Sequence, residues 1–416
     1  MLNLFQESLN KISKTSRMSC CSIRFLTYNV HSCVGTDGVY DVSRVAATAA
    51  AGKPDIIALQ EIENNATSAC KVNGDDNAMD GRARCRIWSV VHSDDQPGQI
   101  AHSSGLPYVS FVPTLEASVV EGEKSEILVG NDEERIIETN TSDEDTKANA
   151  SQRNQQKCRY GNAIASRFPI LRTEVLHYRP PLKPGERINM GSEEQPRLAM
   201  ACLLDVGEED KTSSEERESR TTVSRPVWVV NTHLSHKAYH AEQHRQAKQC
   251  AEWVATDLQT IARESHQQDY GTPVLLAGDL NSPIELLGGW VSFGGYSTLA
   301  NHAGFIDLRF LPADKKANDP NCPTRPPSYH EPTSKQWKLP SSNPKQLLPS
   351  ARIDHVLAYI PPCGEEGSET ESNKKGDNGR VSVNCESVRV LKDERIWRVA
   401  SDHCAVVAAV VLNWVK

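Results

Sequence analysis

The sequence predicts an α/β layered fold: two stacked sheets within one domain, with a site at the strand ends. Three observations carry this. Short apolar runs end repeatedly in polar tips. The first two runs are separated by a helix-forming segment, giving the order strand, tip, helix, strand, tip. The two halves of the chain have similar strand and helix content, without a convincing tandem repeat.

Residues 22–30 hold Ile23-Arg24-Phe25-Leu26-Thr27-Tyr28 and end in Asn29-Val30-His31, a strand and its tip. The turn Gly35-Thr36-Asp37-Gly38 follows. Residues 41–51 read as a helix, with Asp41 or Ser43 as N-cap and Gly52 as stop. Pro54-Asp55 opens Ile56-Ile57-Ala58-Leu59, an all-apolar strand suited to a sheet covered on both faces. It ends in Gln60-Glu61. Residues 64–110 read as irregular. Residues 121–157 are rich in Glu, Asp, Asn, Ser and Thr, lack aromatic residues, and read as a largely disordered acidic insertion.

Order is expected again at residues 159–170, a strand entering a turn, and at 198–205. Residues 207–225 form a second charged insertion. Residues 226–231 read as a strand with Thr232-His233-Leu234-Ser235-His236 as its tip. Residues 239–263 read as one long amphipathic helix, with Ala247, Cys250, Ala251, Val254 and Leu258 on one face. The run from Pro273 to Ala277 is the next strand and delivers Gly278-Asp279-Leu280-Asn281. Residues 312–350 are Pro-rich and read as an extended surface loop. Residues 352–359 are a strand with Asp354 at its start, and 364–380 a third polar insertion. A strand at 388–398 leads to the tip Ala400-Ser401-Asp402-His403, and the apolar run 404–412 closes the core. That run is too short to span a bilayer.

At 416 residues and 38% hydrophobic content, a good part of the chain is expected to be loop. The net charge of -8 counts against a broad, sequence-blind grip on nucleic acid, though not against a local basic pocket. The twelve cysteines include no Cys-x-x-Cys pair, so zinc is poorly supported. Residues 1–18 show no secretory h-region, so reduced thiols in an intracellular, cytoplasmic setting are expected. A Cys70–Cys85 bridge is the alternative for an exported protein. A monomer is expected.

The tips carry Asn29 and His31, Glu61, His233, Asp279 and Asn281, Asp354, and Asp402 with His403. These are carboxylates, amides and imidazoles without a thiolate, a set that suits Mg²⁺ or Mn²⁺ and leaves room for phosphate and water. Strand alternation would point Asp279 and Asn281 to one side, where they could hold a cation or orient a water. The structural alternative for Gly-Asp-x-Asn is a plain turn. Phosphoester hydrolysis needs such parts: a metal for the phosphoryl oxygens, a base for water, an acid for the leaving oxygen.

Thr27-Tyr28-Asn29, Leu59-Gln60-Glu61, Gly161-Asn162-Ala163-Ile164-Ala165-Ser166, Asn231-Thr232-His233-Leu234, Gly278-Asp279-Leu280-Asn281, Arg352-Ile353-Asp354 and Ser401-Asp402-His403 share one pattern. In order and spacing they resemble the endonuclease/exonuclease/phosphatase (DNase I-like) superfamily, over about residues 22–413. The resemblance implies a four-layer α/β sandwich: two mixed β-sheets packed face to face, helices outside. It implies a Mg²⁺-dependent phosphoesterase. Glu61, Asn29 and Asp402 would hold the metal. Asp279 would orient or deprotonate the attacking water, and Asn281 with Asn29 would bind the phosphate. Asp354 would hold the tautomer of His403, which would act as base or stabilise the phosphorane. His233 would be a leaving-group acid or a phosphate donor. His31, His236, Arg245 and Tyr160 are of second rank, each with a structural reading beside the functional one.

Subfamily motifs do not select a substrate. Ala351-Arg352-Ile353-Asp354 departs from the inositol-polyphosphate phosphatase pattern, and Thr232-His233 from that of apurinic-site endonucleases. The chain looks more like a broad group similar to sphingomyelinase-like and deadenylase-like hydrolases. The expected substrate is a small or lipid-linked phosphoester. The alternatives are a nuclease or deadenylase on DNA or RNA, and a non-catalytic binding module on the same fold.

Overall fold

The computed structural model describes residues 19–35, 37–65, 92–118, 127–129, 136–138, 157–178, 196–207, 224–235, 241–266, 271–282, 294–302, 304–308, 354–361, 380–391, 400–401 and 403–415. The chain starts with β1 (Ser19–Asn29), α1 (Val42–Ala51) and β2 (Ile56–Asn64). Next come α2 (Gln96–Ser103), β3 (Tyr108–Ser118), β4 (Ile127–Val129) and β5 (Ile136–Glu138). Then follow β6 (Lys157–Ser166), β7 (Ile170–His177), β8 (Leu198–Asp205) and β9 (Pro226–His233). Helices α3 (Ala241–Ala255) and α4 (Asp257–His266) lead to β10 (Val274–Asp279). The chain continues through α5 (Gly294–Ala300), β11 (Phe305–Asp307), β12 (Asp354–Tyr359), β13 (Arg380–Val390) and β14 (Val406–Val415).

Among the described residues these strands make an eight-stranded sheet, β13-β14-β1-β2-β6-β3-β4 with β5 beside β3, and a six-stranded sheet, β11-β12-β10-β9-β8-β7. Each sheet has one parallel pair near its middle. The β1–β2 pair is bridged by α1, and the β9–β10 pair by α3 and α4. All other neighbours are antiparallel. A parallel pair requires a crossover, and the helix that supplies it must cover a sheet face. The result is a mixed α/β sandwich.

Three apolar layers follow. Ile23, Phe25, Ile56, Ala58 and Ile164 of the first sheet meet Met200, Cys202, Val229, Leu275 and Val356 of the second. The outer face of the first sheet (Leu26, Tyr28, Ile57, Leu59) packs on Val45, Ala46 and Ala49 of α1 and Ile100 of α2. The outer face of the second (Trp228, Val230, Leu276, Leu357) packs on Ala247, Cys250, Val254, Leu258 and Leu299 from the three later helices. Strands apolar on both faces are therefore buried on both faces, each Leu or Ile contributing about 1.5–3 kcal/mol. The Asp41 side chain accepts from the Arg44 backbone N–H and caps α1, and Gly52 ends it. No helix among the described residues is long and apolar enough to cross a membrane.

Several expectations need correcting. Residues 64–110 are not simply irregular: α2 lies there, capped by Asp95, with Pro97 in its first turn. Part of the acidic insertion is strand, since β4 and β5 pair with β3. The long helix breaks at Thr256, whose hydroxyl donates to Glu252 O and Asp257 Oδ1. The penultimate strand is β13 at Arg380–Val390, not 388–398. Its exposed polar residues alternate with buried Val383 and Cys385, a one-sided edge pattern that resembles a polar insertion. His236, Asp402, Cys70, Cys85, the loop 312–350 and most of the three insertions lie outside the described residues.

Candidate active site

The sheet register assembles the site. Asp279 ends β10 opposite His233 on β9 and opposite Asp354 on β12. Asn29 ends β1 opposite Gln60 on β2. Parallel strands joined by crossovers deliver their C-terminal ends to one edge, so the polar tips meet there.

Glu61 is aimed by a local irregularity. The β2–β6 register shifts between Leu59 and Ile62, and Glu61 adopts φ 54°. A bulge re-aims a side chain, and a left-handed non-glycine residue costs about 1–3 kcal/mol that the surrounding pairing must hold. On the other side of β6, Gly161 lies close against β3, where a Cβ would lie 2.0 Å from Val112 O. Gly278 has the same role in the second sheet: a Cβ would sit 1.8 Å from Thr232 O.

The Asp279 carboxylate is the centre. It is buried, and its Oδ1 accepts from the Asn281 backbone N–H at 2.9 Å. Its Oδ2 accepts from Asn29 Nδ2 at 3.0 Å and faces His233 Nε2 at 3.4 Å and His403 Nε2 at 3.6 Å. Asn29 Nδ2 also donates to Glu61 Oε1 at 3.1 Å, while its Oδ1 accepts from the His31 N–H. The His403 Nδ1 donates to Asp354 Oδ2 at 3.0 Å. That bond places the Nδ1 proton and turns Nε2 toward Asp279. Ser401 Oγ donates to Asn29 O and accepts from the His403 N–H, tying the last tip to the first.

Asn281 departs from the alternation reading. The strand stops at Asp279, Asn281 takes φ 50°, and its Nδ2 donates to Leu234 O. His31 begins a tight left-handed turn, with Nδ1 against Val34 O. Arg245 pairs with Glu242 and donates to Tyr178 O, a structural role. Tyr160 is close enough to Glu61 and Arg197 to feel both, and burial pushes its hydroxyl well above the usual range. Behind Glu61 a further ionisable pair is buried. Burial raises the Glu63 carboxyl, partly opposed by His92 at 2.9 Å.

Four residues have supporting roles that the sequence reading does not assign. Arg197 Nη1 donates to His233 Nδ1 at 2.7 Å. Gln60 and Asn231 join the sheets beneath the site. On α3, Gln243 Nε2 donates to Ser235 O, Leu280 O and Asn281 O, which holds the His233 and Asp279 tips together. One signal did exist for Arg197: it opens an antiparallel strand beside β9, so it begins where β9 ends.

A profile of the Endonuclease/Exonuclease/phosphatase family matches residues 26–403. The chain belongs to that family. Solved structures to which the chain is similar include an endonuclease/exonuclease/phosphatase from Beutenbergia cavernae DSM 12333, 19% identical, covering 95% of this chain and 71% of its own, with TM-score 0.44. A family protein from Bacteroides thetaiotaomicron is 12% identical, covering 94% of this chain and 96% of its own, with TM-score 0.47. TDP2 from C. elegans is 14% identical, covering 99% of this chain and 81% of its own, with TM-score 0.43. No curated protein matches the sequence.

Family members are phosphoester hydrolases, and the donor set fits a hard divalent ion. Asp279, Asp354 and His403 present ligand atoms within 4.8 Å of one another. Glu61 and Asp279 both converge on one neutral donor, the Asn29 amide. Clustered carboxylates retain negative charge, and oxygen donors of that kind suit a hard divalent cation.

Proposed function

We propose that the protein is a Mg²⁺- or Mn²⁺-dependent phosphoesterase that hydrolyses a phosphodiester or phosphomonoester by attack of water. The favoured substrate is a small or lipid-linked phosphoester. The observation that supports this reading is the convergence on Asp279 Oδ2 of Asn29, His233 and His403, which come from separate strand tips.

In this reading Glu61, Asn29 and Asp402 would hold the metal, which would supply charge neutralisation for the phosphoryl oxygens. Asp279 orients the attacking water and accepts its proton, held in place by the Asn281 N–H and the Asn29 amide. His403, its Nδ1 proton fixed by Asp354, stands beside Asp279 to steady the reacting phosphoryl group. Asn281 has a second amide hydrogen beyond the one given to Leu234 O, and that hydrogen serves a phosphate oxygen. The net charge of -8 favours a compact phosphoester over a long polyanion.

The test is a turnover panel with and without EDTA: oligonucleotides, poly(A), sphingomyelin, phosphoinositides and bis(p-nitrophenyl) phosphate. Glu61→Ala and His403→Ala are expected to abolish turnover while the circular-dichroism spectrum is retained. Full activity in excess EDTA would remove the metal requirement. A strong preference for oligonucleotides or poly(A) would move the protein to the nuclease class.

A further inference from the structure

We infer that Arg197 is a positioning residue: it fixes His233 as a neutral imidazole protonated on Nε2, which hydrogen-bonds a phosphoryl oxygen and does not give up its proton. The inference deepens the phosphoesterase reading and rests on it for the identity of the ligand.

The argument starts from what each group can do. Guanidinium nitrogens only donate, and arginine keeps its charge at any pH a folded protein meets. Arg197 Nη1 lies 2.7 Å from His233 Nδ1, so that nitrogen accepts with its lone pair. The proton of the neutral ring is then on Nε2. An imidazolium would set two donors against each other at that distance and bring two positive charges together.

The other ring nitrogen faces the site. His233 Nε2 lies 3.4 Å from Asp279 Oδ2 and 3.8 Å from Glu61 Oε1, and the residue is 4% exposed. A protonated Nε2 offers no lone pair to a cation, so His233 is excluded from the metal's ligands although it stands among them. What it offers is an N–H aimed where carboxylates and a phosphoryl oxygen meet.

The same bond forbids proton transfer. Loss of the Nε2 proton would leave an imidazolate unless Nδ1 took a proton from the Arg197 guanidinium, a group that does not give one up. His233 therefore gives no proton to the leaving oxygen and acts through its N–H dipole alone. His403 is wired the opposite way, with a carboxylate on Nδ1. Two imidazoles at one carboxylate oxygen thus present opposite faces, one N–H and one ring nitrogen whose partner nitrogen carries the proton.

Two measurements on the full chain test this. The first is nitrogen NMR of ¹⁵N-histidine protein, with His233 assigned by its loss in His233→Asn. Expected is a protonated Nε2 and a bare Nδ1 in the unmodified protein, retained in Arg197→Lys and mixed or reversed in Arg197→Met. A protonated Nδ1, or a tautomer unmoved by Arg197→Met, overturns the inference. If Arg197→Met fails to fold, the unmodified protein and Arg197→Lys still decide.

The second compares leaving groups on diesters, p-nitrophenyl against alkyl, in His233→Ala. A hydrogen-bond donor to a non-bridging oxygen gives the same loss for both, within about threefold, with partial rescue by His233→Asn. A general acid contributes about 10²–10⁴-fold, and that loss would vanish with p-nitrophenol, which needs no protonation. Such a difference overturns the inference. Lack of turnover by the unmodified protein would fall on the phosphoesterase reading alone, because the nitrogen spectra need no substrate.

Discussion

Gln60 Nε2 donates to Asn231 Oδ1 at 2.7 Å, so two buried amides from different sheets meet directly beneath the polar rim. Asn231 Nδ2 in turn donates to Leu59 O and Ala163 O of the first sheet, and Gln60 Nε2 also reaches Thr27 Oγ1. Most of the remaining sheet-to-sheet packing is apolar and has no directional preference, with Ser110 Oγ against Thr173 Oγ1 as another polar link. This network sets how far one sheet can slide on the other.

Replacing Asn231 with Leu keeps the branching and removes its three bonds, to Gln60, Leu59 O and Ala163 O. It leaves two carbonyls and an amide buried with fewer partners, at about 1–3 kcal/mol for each unsatisfied group. Urea unfolding should show a loss of about 3 kcal/mol or more. Turnover should fall as well, because Gln60 adjoins Glu61 while Asn231 lies two residues before His233. A variant as stable and active as the parent would show that the network is dispensable.

Gly278→Ala should be far more damaging than an alanine at an exposed turn. The added methyl would lie 1.8 Å from Thr232 O and force β9 and β10 apart, the strands that carry His233 and Asp279. A loss of about 3 kcal/mol is expected from such overpacking, together with a collapse in kcat. Gly38→Ala is the control. Gly38 has φ +78°, and the space a Cβ would occupy there is open to 4 Å, so only the backbone term of about 1 kcal/mol applies. Thermal melts of the two variants separate the cases.

Cys250 supplies a pH prediction. Burial under the second sheet pushes its thiol from 9.0 up to about 12, despite a lowering contribution from Tyr178. A folded-state pKa above the unfolded value stabilises fully below the unfolded pKa, and that stability is lost as pH rises through the folded one. From about pH 9 upward the stability of the parent relative to Cys250→Ala should therefore fall by about 1.4 kcal/mol per pH unit. Denaturation curves at pH 8.0 and 10.5 measure this. An unchanged difference would mean the thiol ionises in the folded protein as readily as in the unfolded one.

Much of this was legible in the residues. Runs such as Ile56-Ile57-Ala58-Leu59 are apolar throughout because both faces of the strand are covered. Polar residues at their ends had to collect at one edge once the crossovers were recognised. Three kinds of feature were not legible. Helix α2 is short and has a weak apolar face, so beyond the Asp95 cap and Pro97 little local marks it before it packs on β2. The bulge at Glu61 depends on pairing with β6, about a hundred residues away, and no local pattern encodes it. Asn281 fails the alternation reading because the chain leaves the sheet after Asp279, a turn chosen by Leu234 O and the Asp279 carboxylate. Arg197 was passed over because a single charge before an apolar run is commonplace until the neighbouring strand is known.

The division of the rim between the sheets has a consequence for how the protein can lose its chemistry. Asn29, Glu61 and His403 belong to the sheet built around β1, while His233, Asp279 and Asp354 belong to the one built around β10. Neither slab alone holds enough of the machinery to work. Because β13 and β14 return to the first sheet, cuts on both sides of β7–β12 would be needed to part the slabs, and reconstitution would have to recover their docking before any catalysis returned.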